Sequence, residues 1–183
     1  MTDPAPPVTT PDVSADSLAS IAGLQSLGFE GFDTVADLAR SNSLEVPVAR
    51  GVYIVVREPA DPPKIMPSSQ AGRHRNVNPS VKPEVLEKKW VPGAVLLYVA
   101  VADGTGVRNQ LQQRIKRSIR YAGGAAIGAS GGRYLWQLAD HRKLRFAWLV
   151  TEAAADFAWK ILDVFHDQYG ALPFANLEGE TEE

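Results

Sequence analysis

The chain has 183 residues, 45% hydrophobic and 22% charged, with a formal net charge of -2 and no cysteine. That length suggests one domain with appendages. The missing cysteines exclude disulfides, thiolate zinc sites and a cysteine nucleophile, and the near-neutral charge leaves any nucleic-acid partner to be recognised by a local patch.

Residues 1–16, rich in Pro, Thr and Asp, bury too little apolar surface to offset the entropy of ordering and are expected to form a disordered tail. They have neither the basic start nor the apolar centre of a signal peptide. No run in the chain approaches the roughly 18 apolar residues that span a bilayer. A cytoplasmic protein without a membrane partner is the expectation. Residues 17–49 read as a helical preface packed on the main domain. Leu18, Ile21 and Leu24 lie at helical spacing, Phe29 and Phe32 are anchors, and "DTVADLARS" is a short helix with Thr34 as N-cap and Asp37 in its first turn.

"GVYIVVRE" (51–58) is β-branched and aromatic and predicts a strand. A Pro-rich excursion follows at 59–90, with a helical turn expected in "PEVLEKKW". A second strand is predicted over 94–102, ended by Asp103-Gly104. Next comes a helix whose buried stripe is Leu111, Ile115 and Ile119 and whose stop is Gly123-Gly124. "KLRFAWLVTE" (143–152) predicts a third strand, and "AAADFAWKILDVFHDQYG" a last helix with Gly170 at its C-cap. Residues 178–183, with four glutamates, are expected to be a solvated acidic tail. The fold class is therefore α/β (α+β): a small, mainly antiparallel three-stranded sheet at 50–177, flanked by helices because three strands alone bury little.

Strand alternation sorts the faces. Val95, Leu97, Val99 and Val101 make one bulky apolar face of the second strand. Leu96, Tyr98, Ala100 and Ala102 make the other, where the small alanines leave a hollow beside the phenol. Tyr53 shares its face with Val55 and Arg57. Two readings stay open for Tyr53 and Tyr98: ordinary half-buried sheet tyrosines, or a pair facing a substrate.

Residues 108–145 hold nine Lys or Arg against one acid, Asp140. Arg114, Arg117 and Tyr121 share a helix face by their spacing. Arg108, Lys116, Arg117, Arg120, Tyr121 and Arg133 are candidates for contacting a nucleic-acid backbone, since clustered cations beside aromatics and a Gly-rich loop suit phosphates. The alternative is a solvated helix face. Other chemistries lack their signatures. His74, His141 and His166 have no metal-ligand spacing, "GASGGR" lacks the lysine of a phosphate loop, and no G-x-S-x-G elbow occurs.

These pieces together resemble the GIY-YIG nuclease superfamily over roughly residues 50–177. "GVY" (51–53) stands at the first tyrosine tripeptide and "YVA" (98–100) at the second. "LQQRIKRSI" stands at the helix carrying the family's arginine, here Arg114, and "PFAN" at the closing motif, here Asn176. The resemblance implies Tyr53, Tyr98 and Arg114 around a scissile phosphate, Gly51 and Asn176 as structural motif residues, and magnesium or another divalent metal if the protein is active. It also implies nucleic acid, DNA ahead of RNA, as partner. The second tripeptide ends in Ala100 instead of glycine, and the metal-holding glutamate of the last helix corresponds to Ala158. Two functions follow: a metal-dependent endonuclease, or a nuclease-like binding module that does not cleave.

Overall fold

The computed structural model describes residues 11–58, 61–128 and 131–177. Four strands pair antiparallel throughout: β1 (Glu30–Thr34), β2 (Gly51–Val56), β3 (Leu96–Ala102) and β4 (Arg145–Val150), in the spatial order β1-β4-β2-β3. The class is α+β, as the sequence predicts, but the sheet has four strands instead of three. The extra strand comes from the expected helical preface. Its signal is hidden because Glu30-Gly31-Phe32-Asp33-Thr34 is a polar edge strand with a bulge between Gly31 and Asp33. There Phe32 takes a positive φ of 60°, so a pattern of period two never develops. Gly31, at φ 92°, lies flat against the Trp148 ring, and a Cβ would come within 2.4 Å of it.

Six α-helices lie among the described residues: α1 (Ala15–Leu18), α2 (Ile21–Ser26), α3 (Val35–Ser41), α4 (Pro83–Lys89), α5 (Leu111–Ala122) and α6 (Ala154–Tyr169). Their ends follow local chemistry. Ser14 caps α1 through a capping box with Ser17, so the expected tail of 1–16 gives way to ordered structure before its end. Its residues 1–10 lie outside the described residues, as does the acidic tail 178–183. The Thr34 hydroxyl accepts from the Asp37 amide of α3 at 3.1 Å and donates to the Asp37 carboxylate at 2.6 Å. That donated bond, with Arg40 alongside, holds the Asp37 carboxyl below its ordinary range. Gly170 ends α6 in the left-handed conformation at φ 68°.

Both faces of the sheet are buried core. On one face α6, α1 and α2 close over Val52, Ile54, Val56, Leu96 and Val99 with Phe157, Ile161 and Phe165. On the other, α3 and α5 pack Leu38, Leu111, Ile115 and Ile119 onto Tyr53, Val55, Tyr98 and Phe146. The simple alternation expected for β3 fails at one point. Val55 pairs with Tyr98 while Val56 pairs with Leu96, so a bulge at Leu97 intervenes. Leu97 therefore joins Tyr98 on the α5 face and Leu96 moves to the α6 face, the reverse of their assignment by period two.

The Pro-rich excursion is fastened to the segment 133–139. Its buried staple is Gln137, whose amide nitrogen donates to the carbonyls of Met66 and Val81 and whose oxygen accepts from the Val81 amide at 2.9 Å. Arg57 reaches the same layer through a 2.8 Å ion pair with Asp140. Among the described residues no helix is long and apolar enough to cross a membrane.

Candidate functional site

The sheet order leaves β3 at an edge, and its backbone would present unpaired groups there. The chain's last described residues cover part of that edge. The Ala175 amide donates to the Leu97 carbonyl at 2.9 Å. The Asn176 side chain then acts as a piece of strand: its oxygen accepts from the Val99 amide at 3.0 Å and its nitrogen donates to the Val99 carbonyl at 2.9 Å. By the strand's period of two, the next outward-facing backbone groups are those of Val101.

Beyond Asn176 the edge opens into a cavity of about 380 Å³ whose lining includes Tyr98, Val101, Asp103, Arg114, Ala158 and Trp159. It wraps around the edge strand. Tyr98 and Arg114 come from the α5 side, Ala158 and Trp159 from the α6 side, and Asp103 from the end of β3. Residues distant in sequence thus meet because β3 has no further strand beside it.

Tyr53 and Tyr98 lie on the same face, two residues apart in register. Their rings meet edge-on with centroids 6.1 Å apart. Tyr53 is 2% exposed, stacked on Phe146 at 6.1 Å, and sits behind Tyr98 in the core instead of on the cavity wall. Tyr98 is 4% exposed. Gly131 lies directly over its hydroxyl: a Cβ on this residue, which has φ 71°, would fall 1.9 Å from that oxygen. Gly51 has a comparable constraint, since a Cβ there would lie 2.1 Å from the Leu149 carbonyl oxygen and 2.9 Å from Leu111. Neighbouring β4 and α5 pack where its side chain would be.

The basic residues of 108–145 do not form one patch. Arg114 reaches the cavity. Lys116 and Arg120, on the opposite flank of α5, line a separate hollow with Leu38, Asn42 and Ser43. Arg108 and Arg133 are exposed and Arg117 is half-buried. Arg145 is drawn off to Glu58 at 3.6 Å and to the Phe32 carbonyl at 3.0 Å. Tyr121 needs a correction as a candidate for contacting nucleic acid. It is 7% exposed, within the core cluster on the α5 face of the sheet, so its ring is not available for stacking. Burial raises its phenol above the ordinary value, with Arg133 pulling partly the other way. The Pro-rich excursion comes up against the helix end there, where the Gly72 amide donates to the Tyr121 carbonyl at 2.9 Å, a contact that helical spacing from Arg114 does not reveal.

The residues present do not fit a resident magnesium ion held by the protein alone. At position 158 a methyl group, 4% exposed, stands where the resemblance implies a metal-holding carboxylate. The oxygen of Asn176 is committed to Val99. Asp103 is the one carboxylate among the described lining residues, and among the described residues no three His, Asp or Glu side chains gather at one place. A hard cation prefers several oxygen ligands, with more than one carboxylate if few waters or phosphates help. Asp103 and Trp159 line the cavity and were not singled out as site residues from the sequence. Asp103 reads as a turn residue, and Trp159 as one more apolar residue of an amphipathic helix. No family profile, curated protein or solved structure matches this chain.

Proposed function

We propose that this protein is a nuclease-like module, resembling the GIY-YIG superfamily, that binds nucleic acid, DNA before RNA, at the β3 edge without cleaving it. One observation supports this reading above others: Tyr98 and Arg114 share a cavity with Ala158, so a phosphate-binding pair stands beside a missing metal ligand. A guanidinium offers a phosphate two parallel charge-assisted hydrogen bonds, and the phenol edge helps define where that phosphate rests. With no carboxylate at position 158 to hold a metal, Arg114 is left to stabilise the charge that gathers on a phosphoryl group in transfer without one.

The second reading, metal-dependent cleavage, is favoured by Asp103. A magnesium ion can be held by a single carboxylate together with waters and substrate phosphates. The test is fluorescence anisotropy with a labelled oligonucleotide, run beside a cleavage assay with magnesium. Wild type is expected to bind at low salt, Arg114→Ala to bind about 10-fold more weakly, since a hydrogen bond to a charged group contributes about 1.5–3 kcal/mol, and no product to accumulate. Cleavage by wild type that Tyr98→Phe, Arg114→Ala and Asp103→Asn each abolish would replace this reading with the enzymatic one. The absence of binding at low salt would remove nucleic acid altogether.

A further inference from the structure

Three of the four tryptophans are withdrawn from solvent: Trp136 and Trp148 are buried and Trp90 is packed against the core through Phe174. Trp159 is 72% exposed, the largest apolar side chain so placed among the described residues. It is also not on a random stretch of surface. It follows Ala158 on α6 and forms part of the same cavity wall as Arg114, with Ala155 and Leu162 beside it. On an amphipathic helix the position one residue from a buried alanine lies about 100° around the axis, at the border between core and solvent. An indole there completes no core.

We propose that Trp159 is a stacking platform for an unpaired nucleobase, so that the site takes single-stranded nucleic acid, with the phosphate next to that base at Arg114. This rests on the function proposed above and names its substrate class. The chemistry is a match of three kinds. An indole face stacks on any base, because every base presents a π-face. Arg114 in the same cavity supplies the cation that the adjoining phosphate requires. The outward N–H and C=O of Val101 offer the base edge one donor and one acceptor. The cavity of about 380 Å³ is of the size that holds one small ligand unit, and a base inside a duplex could not reach the indole without leaving its stack.

The experiment titrates the full chain with a ten-residue oligothymidylate, with a blunt hairpin duplex of DNA, and with thymidine monophosphate, reading intrinsic tryptophan fluorescence and anisotropy. The expected result is quenching by the single strand that Trp159→Phe abolishes while binding persists, and a loss of about 10-fold or more in single-strand affinity for Trp159→Ala. Thermal unfolding should be unaltered in both, given the exposure of the side chain. Unchanged single-strand affinity in Trp159→Ala, with Arg114→Ala still weakened, would overturn the platform and leave the parent function standing. Preference for the duplex would overturn it in the same way. Equal affinity for thymidine monophosphate would overturn the strand as ligand in favour of a free nucleotide. Failure of every ligand to bind wild type at low salt would overturn both.

Discussion

Tyr121 illustrates how one residue can be read correctly for its helix and wrongly for its role. Its distance from Arg114 places both on one flank of α5, yet the phenol is buried and its proton held more tightly than usual by desolvation. The consequence for stability has a definite sign. The folded protein keeps that proton at a pH where the unfolded chain has lost it, so stability falls as pH rises past the unfolded value of about 10. Replacing Tyr121 with Phe removes the titrating group. In urea unfolding from about pH 8 to pH 11, the variant should lose less stability than wild type over the alkaline limb. Parallel curves would mean that the phenol ionises as easily in the folded protein as in the unfolded one.

At the scale of elements, the edge of β3 depends on a side chain that imitates a strand. Asn176 satisfies both the amide and the carbonyl of Val99, and an alanine there leaves both to solvent or to nothing. Asn176→Ala should cost about 2 kcal/mol in chemical denaturation, two ordinary hydrogen bonds at about 1 kcal/mol each. Asn176→Asp is the sharper comparison. Its second oxygen would face the Val99 carbonyl, an acceptor against an acceptor, unless it carries a proton. The folded state therefore raises that carboxyl's pKa, and stability is present below the unfolded value of about 4 and lost as pH rises through the folded one. At neutral pH the Asp variant should be less stable than the Ala variant, with the gap closing in acid. An Asp variant as stable as wild type at neutral pH would show that the Nδ2 bond contributes little.

Across the whole molecule, charge is arranged differently from its distribution along the chain. Of the nine cations between 108 and 145, Arg114 lines the cavity, Lys116 and Arg120 line the hollow against α3, and Arg145 reaches Glu58. Their one acid, Asp140, pairs with Arg57 from a different part of the sequence. Lys116 and Arg120 should therefore act on a nucleic acid only from a distance. Changing both to Ala is expected to slow association at low salt, because long-range attraction steers the encounter. It should leave affinity nearly unchanged above about 0.15 M salt, where the Debye length is about 8 Å. Arg114→Ala should weaken binding under both conditions. Stopped-flow association rates and equilibrium anisotropy separate the two, and equal losses at high salt would show that the two flanks of α5 share one ligand.

What was legible in the sequence is what local rules govern. The β-branched runs read as strands over 51–58 and 94–102, the stripe Leu111, Ile115 and Ile119, the Thr34 cap and the Gly170 stop each follow from neighbours within a few residues. The structure bears out the stripe, the cap and the stop, and forms both strands over the shorter spans Gly51–Val56 and Leu96–Ala102. The order of β strands and helices also yields the α+β class, because half-apolar elements must cover one another. The fourth strand, the bulge at Leu97 and the burial of Tyr121 were not legible, because each depends on a partner distant in sequence: β4 for Glu30–Thr34, Ala175 for Leu97, and the excursion at Gly72 for Tyr121. The cavity belongs to the same class. Tyr98, Asp103, Arg114 and Trp159 come together only because β3 ends up as an edge strand with α5 and α6 on its two faces. That position is set by which strands pair, a matter of long-range hydrogen bonding and burial that no window of sequence contains.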